Sequence, residues 1–424
     1  MESQLNQRPV ATGNTQSRTY IGIVLVLGLL ASCGGSNSGA PPAPTQRGAL
    51  VSVTGSSTFN VGIVNAAIAA LTSFGVDTSV LSGTYGVSLN RIVYKTLTPD
   101  GRLINASGVV AYPLKTGVAS SPILSFQHAT MFRDVEAPSL SPDVDVVLMA
   151  AAGTGFIVAM PDYTGYAAST SELHTYVHAA GLADAVVDML RATRQFLSQQ
   201  SVATNGQLFL TGYSEGGYAT LAAQKKMEQY LPTEFPITAS MPAAGPYDMS
   251  TTVQYIVGLA TNDNPAIAGF VFKAYDHWYG WNRLGDIFQS PYATVIDTHY
   301  DGNYSAGEIT TALTTNSAAL FTTTFRSNFL GSGESAVKAG FAANDIYHWA
   351  PVAPTRLFHG VDDTIVPYFN ATTAVSAMTT AGSTSVTLVD CTTPTALIPR
   401  DHENCVPNYL SRMLNWFVGA ANNL

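Results

Sequence analysis

From about residue 49 onward, short apolar runs alternate with longer stretches of helical period. Val87–Thr96 and Leu103–Tyr112 read as strands, and Pro99-Asp100-Gly101 between them is a turn, which predicts a hairpin. Pro122–Phe126 and Gly155–Pro161 have the unbroken apolarity of buried strands, with a helix expected over Val144–Ala152 between them. Ala179–Gln199 places Leu182, Ala185, Val186, Met189, Leu190 and Phe196 on one helical side. Gln207–Thr211 is a strand that runs into a glycine-rich turn and then a helix through Met227. Strands at Pro236–Met241, Thr355–His359 and Thr384–Val389, and helices at Ala371–Thr380 and Asn408–Ala420, complete the alternation. Apolar strands separated by helices predict an α/β fold: a mostly parallel sheet flanked by helices on both faces, with the hairpin antiparallel at one edge.

The alternation stops between residues 246 and 348, where aromatic residues crowd instead: Tyr255, Phe270, Phe272, Tyr275, Trp278 and Trp281 among them. So long a loop without structure of its own is improbable, so an inserted, mainly helical cap that walls a pocket is expected. At the other extreme, residues 1–18 are polar with Arg8 and Arg18, and Tyr20–Leu30 is apolar but too short to cross a bilayer. A basic start, a short apolar core and small residues describe an export signal. Its end, Leu30-Ala31-Ser32-Cys33, resembles the lipobox of bacterial lipoproteins. That resemblance implies a leader over 1–33, lipidation of Cys33, and a cell-envelope protein held at a membrane, the outer one expected, facing periplasm or surface. Residues 34–48, rich in Gly, Ser and Pro, read as a tether, leaving 49–424 as one catalytic domain with the cap inside it.

Composition narrows the function. Charged residues are 11% of 424, and 19 basic against 28 acidic residues give a net charge of −9, which excludes a nucleic-acid-binding surface. With Cys33 set aside, the remaining two of three cysteines are Cys391 and Cys405; export permits a disulfide between them, and three are too few for a four-cysteine zinc site. His174 and His178 are four apart, but no third metal ligand is evident, and Asp301-Gly302-Asn303 opens a loop whose twelfth position is Ala312 where an EF-hand needs Glu. No metal and no cofactor is implied.

The chemistry is written at Gly212-Tyr213-Ser214-Glu215-Gly216-Gly217. A strand before and a helix after this Gly-x-Ser-x-Gly are the setting of a nucleophile elbow, where small residues let the backbone reverse sharply beneath an exposed serine. Ser214 then needs a base and an acid downstream. Gly360-Val361-Asp362-Asp363-Thr364-Ile365-Val366-Pro367 follows a late strand, and the Gly-x-x-Asp-x-x-Val-Pro pattern selects Asp363, with Asp362 the alternative. His402, in the loop before the last helix, suits the base better than the other seven histidines. A disulfide Cys391–Cys405 would pin its loop. Backbone N–H groups of Glu215 and Thr130 are expected to form the oxyanion hole. His128, Asp162, Tyr163 and Tyr213 are candidates to shape the pocket.

These stretches, with Gln127-His128-Ala129-Thr130, Pro161-Asp162-Tyr163-Thr164-Gly165-Tyr166 and Trp349-Ala350-Pro351, resemble the α/β-hydrolases, in particular secreted bacterial and fungal lipases and esterases that carry a cap after the sixth strand. The chain departs from them at Ala129, where relatives usually have glycine. The resemblance implies a serine ester hydrolase acting through an acyl-enzyme. The cap's aromatics point to small-molecule or polymeric esters with apolar or aromatic groups. A serine peptidase of the same fold, an acyltransferase and a non-catalytic lipid-tethered binding protein stay open at this point.

Overall fold

The computed structural model describes residues 46–117, 119–141 and 145–424. The expected leader, Cys33 and the tether up to residue 45 lie outside the described residues. The tether's last residues are folded in: Arg47 donates from Nε to Asp188 Oδ1 and from its terminal nitrogen to Asp188 Oδ2, both at 3.0 Å, and Gly48 N bonds Lys95 O at 2.7 Å. Composition could not reveal this, because one arginine is enough to anchor a flexible-looking segment when a buried carboxylate awaits it.

Nine strands form one sheet in the order β1-β2-β3-β5-β4-β6-β7-β8-β9. They are β1 Leu50–Phe59, β2 Val87–Leu97, β3 Leu103–Pro113, β4 Ser120–Gln127, β5 Ile157–Pro161, β6 Ala203–Tyr213, β7 Ala239–Ala243, β8 Thr355–His359 and β9 Val386–Asp390. The first three pair antiparallel, β3 meets β5 antiparallel, and β5 through β9 run parallel. The sequence pattern missed β1 and the helix that follows it, α1 (Val61–Ser73). β1 is a half-exposed edge strand, LVSVTGSSTF, with two register shifts, so it buries too little apolar surface to show an alternation. α1 sinks only Val64, Ala67 and Leu71.

The period-two geometry of the strands sorts their side chains into two cores. Leu208 and Leu210 of β6, with Ile157 and Ala159 of β5, join the core under α3 (Ala179–Gln199) and α4 (Glu215–Tyr230). Phe209, Val158 and Met160 point the other way, toward α1, α2 (Asp145–Thr154) and the last helix, Val406–Ala420. Between β7 and β8 lie eight helices, among them α5 (Met249–Gly258), α6 (Pro265–Trp278) and α9 (Ala306–Ala312). Their aromatics bury one another: Phe272 sits 5.5–5.7 Å, edge-on, from Phe288, Phe321, Phe325 and Phe341. This cluster is continuous with the core on the α3–α4 side of the sheet. Among the described residues, no helix is long and apolar enough to cross a membrane.

Cys391, just past β9, and Cys405, at the start of the last helix, are joined with their Cα atoms 5.8 Å apart. Both are buried. The closed loop of 14 residues' separation carries His402. Replacing both cysteines by serine should lower the unfolding free energy by about 3 kcal/mol, read as a lower denaturant midpoint. Dithiothreitol should shift the wild-type midpoint by a similar amount and leave the double variant where it is.

Candidate active site

β6 enters the centre of the sheet and α4 leaves it with one residue between them, Ser214. That residue has φ 59° and ψ −122°, a conformation costly for a side chain with a Cβ. The turn is so tight that a Cβ on Gly212 would lie 2.4 Å from Gly216 O, and one on Gly216 would lie 2.1 Å from Gln127 O at the end of β4. Only glycine fits at either place. Ser214 N donates to Ala243 O at 2.9 Å, tying the turn to β7 on its other side.

The parallel arrangement brings the C-terminal ends of β6 and β8 to the same edge, where ligands bind in such sheets. His402 Nε2 is 2.9 Å from Ser214 Oγ, and His402 Nδ1 is 2.6 Å from Asp363 Oδ2. The other Asp363 oxygen accepts from Ile365 N at 3.0 Å and Val366 N at 2.9 Å. Burial pushes this carboxyl up, but hydrogen bonds from His359 and His402 outweigh it and hold it at about 2. Asp362 is exposed and accepts from Arg400 N at 2.9 Å, clamping the start of the histidine loop. Tyr213 Oη donates to His402 O at 2.6 Å, so the imidazole is held by this bond, by the Asp362 clamp and by the disulfide.

Ala129 and Thr130 share one hollow of about 350 Å³ with Ser214, His402 and Tyr213. The backbone at Ala129 is outside the positive-φ region, so the glycine that relatives carry there is not required by conformation. His128 Nδ1 lies 2.7 Å from Ala129 O. Burial holds this imidazole at about 4, so near neutral pH it has a single N–H, and the shorter contact takes it. In a trans peptide the C=O and N–H point in opposite directions. Holding Ala129 O on one side therefore turns Thr130 N–H to the other.

His128, Asp162 and Tyr163, expected near the pocket, are not in the lining of the two hollows at Ser214. Asp162 is fully buried, its carboxylate accepting from Ser107 Oγ and Ser139 Oγ at 2.6 Å and from Ser139 N at 2.8 Å, and Tyr163 Oη donates to His128 O at 3.3 Å. His174 and His178 do not share a helical face either: His174 is in a loop, and His178 caps α3 by accepting from Gly181 N at 3.3 Å. Among the described residues no group of His, Cys, Asp or Glu could hold a metal ion.

Two residues with no sequence signal of their own reach the site. His359, the last residue of β8, sets Nε2 2.8 Å from Val366 O and 3.3 Å from Asp363 Oδ2. Tyr176 lines a second, narrower slot that ends at Ser214; Glu215 and Thr252 are the other polar residues of a mostly apolar wall that includes Met249, Val253, Ile256, Val271 and Ile365. Helices α5 and α6 supply Met249, Thr252, Val253, Ile256, Ile267 and Val271 of that lining.

The family described as Secretory lipase matches residues 134–272, a stretch that contains the Ser214 turn. No curated protein matches. Among solved structures, the rice cell wall degrading esterase LipA from Xanthomonas oryzae, in a ligand-bound form, superposes with a TM-score of 0.78 at 25% identity, over 88% of this chain and 99% of that one. A Legionella pneumophila protein gives 0.77 at 26% identity, over 87% and 98%. Candida antarctica lipase A in its closed state gives 0.63 at 17% identity, over 86% and 82%, a likeness of fold. Sheet order, serine turn and family match agree: this chain is an α/β-hydrolase resembling the secretory lipases and esterases, and an ester hydrolase by class.

Proposed function

We propose that the chain is a serine carboxylic-ester hydrolase that works through an acyl-enzyme. The observation that carries this reading is the unbroken hydrogen-bonded line Asp363–His402–Ser214 at the mouth of an apolar slot. Ser214 Oγ attacks the ester carbonyl while His402 Nε2 takes its proton; Asp363 keeps the imidazole oriented and stabilises its charged form. The negative oxygen is met by the N–H groups of Thr130 and Glu215. His402 returns the proton to the leaving alcohol, and a water, activated the same way, frees the acid. The slot, about 30 Å³, suits only a small group on the acyl carbon, and the larger part of the ester, which can be bulky or polymeric, suits the open hollow of about 350 Å³ lined by Asn264, Thr310 and Glu403.

We further propose that the domain acts at a cell envelope, exported by the 1–33 leader and tethered through a lipidated Cys33. The family's secretory character supports the export; the lipobox resemblance supports the anchor.

Ser214→Ala and His402→Ala should each remove hydrolysis of p-nitrophenyl esters by roughly 10⁴-fold or more and leave the melting transition near wild type. A Ser214→Ala protein that keeps a tenth of the rate would reassign the nucleophile. Asp363→Asn should lose far more activity than Asp362→Asn, in line with which carboxylate touches the imidazole.

Asp363 also predicts a pH effect on stability. Its folded value, about 2, lies below the ordinary 3.8, so its contribution is complete above that ordinary value and is lost as pH falls toward 2. The contribution is on the order of 2 kcal/mol, and chemical unfolding between pH 5 and pH 2.5 should show a shallower loss in Asp363→Asn than in wild type. Cys33→Ser should move the protein from the membrane fraction to the soluble exported fraction, with its esterase activity intact.

A further inference from the structure

An oxyanion hole stabilises charge only if its donors are held rigidly at a fixed separation. Here the two donors stand on different elements: Thr130 on the loop after β4, Glu215 at the start of α4. Both are tied to one short segment. His174 Nε2 lies 2.6 Å from Glu215 Oε1, and Tyr176 Oη lies 3.0 Å from Thr130 Oγ1. Only Thr175 separates the two tying residues.

We propose that His174 and Tyr176 are positioning residues: a brace across the two halves of the oxyanion hole, closed from above by Phe270 of the cap. The proposal rests on the triad reading given above. His174 Nδ1 is 2.7 Å from Thr164 O, a pure acceptor, so that nitrogen carries a hydrogen and the ring cannot turn. Nε2 is then left to bond Glu215. Glu215 is fully buried, and among the described residues its Oε2 has no hydrogen-bond partner, so there the His174 bond anchors this side chain. Burial pushes the Tyr176 hydroxyl up, so it stays protonated and able to donate to Thr130.

The cap completes the brace. Phe270 of α6 stacks on Tyr176 with ring centroids 4.4 Å apart and planes at 11°, and lies 5.6 Å from His174. From the end of the same helix Trp278 Nε1 donates to His174 O at 3.4 Å. A shift of α6 would therefore reach both donors through two adjacent side chains.

Tyr176→Phe and Thr130→Val each remove one hydroxyl and no backbone donor. Each should lower kcat on a p-nitrophenyl ester roughly ten-fold, against the ~10²–10³ typical of losing a donor outright, with KM within two-fold. An alkyl boronic acid, which adopts the tetrahedral geometry, should lose affinity by the same factor as kcat. The double variant should be no worse than either single one, because both delete the same bond. Glu215→Gln, which can still bond the imidazole, should keep most of kcat where Glu215→Ala does not. A fluorophosphonate labels Ser214 in parallel. If wild type labels and the two hydroxyl variants keep wild-type kcat and boronate affinity, or lose only melting temperature, the brace is overturned while the triad stands. If wild type fails to label, the triad reading falls and takes the brace with it.

Discussion

The structure is organised around one reversal of the chain. Ser214 turns a central strand into a helix within a single residue, and three backbones close on it: Gln127 O from β4, Ala243 O from β7 and Gly216 O from α4 itself. A Cβ on Gly217 would lie 2.0 Å from Ala243 O, as intolerable as one on Gly212 or Gly216. No side chain of any kind fits there, so the sheet can carry the serine only with this glycine pattern. The strain is sustained because β4, β6 and β7 are hydrogen-bonded neighbours in the middle of the sheet.

The acid and base arrive on loops, and loops need fixing. Asp363 is fixed by two backbone N–H bonds in its own turn, and His402 by groups from four places: the disulfide, Tyr213, the Asp362 clamp and Asp363 itself. A Cβ on Gly360 would lie 2.1 Å from Arg400 O and 2.8 Å from Cys405 Sγ, which shows how closely the two loops pass. The order of charges follows from this packing. Asp363 is held low because it gathers donors, whereas burial outweighs the two hydroxyls and one amide at Asp162 and pushes its carboxyl up.

Beneath the cap the same logic places polar groups among aromatics. His174 lies within ring contact of Tyr163, Tyr166, Tyr176 and Phe270, and its two nitrogens are both used. A buried imidazole so enclosed has no freedom to move without breaking a bond, which is the property a rigid site requires.

Much of this was legible in the order of residues. The alternation of apolar runs with helical periods, the Gly-x-Ser-x-Gly turn between a strand and a helix, and the aspartate and histidine after late strands are local patterns, each set by neighbouring positions: φ space, pleat and helical period. They predicted the mostly parallel sheet, and they singled out Ser214, Asp363 and His402 as candidates. The edge strand β1 escaped because exposed edges need no alternation, and Arg47 because a tether and a salt-bridged arm have the same composition. His174, Tyr176 and His359 escaped for a deeper reason. His174 acts on Glu215, 41 positions away, and Tyr176 on Thr130, 46 away, both partners brought close by folding; His359 acts on Asp363 four positions on, but only once the turn between them has closed. Burial of His128, Asp162 and Tyr163 is likewise set by the fold and not by their order in the chain. Local order encodes which conformations a segment can take. Which polar groups lose water together, and so must satisfy one another, exists only once the sheet, the loops and the cap have closed over them.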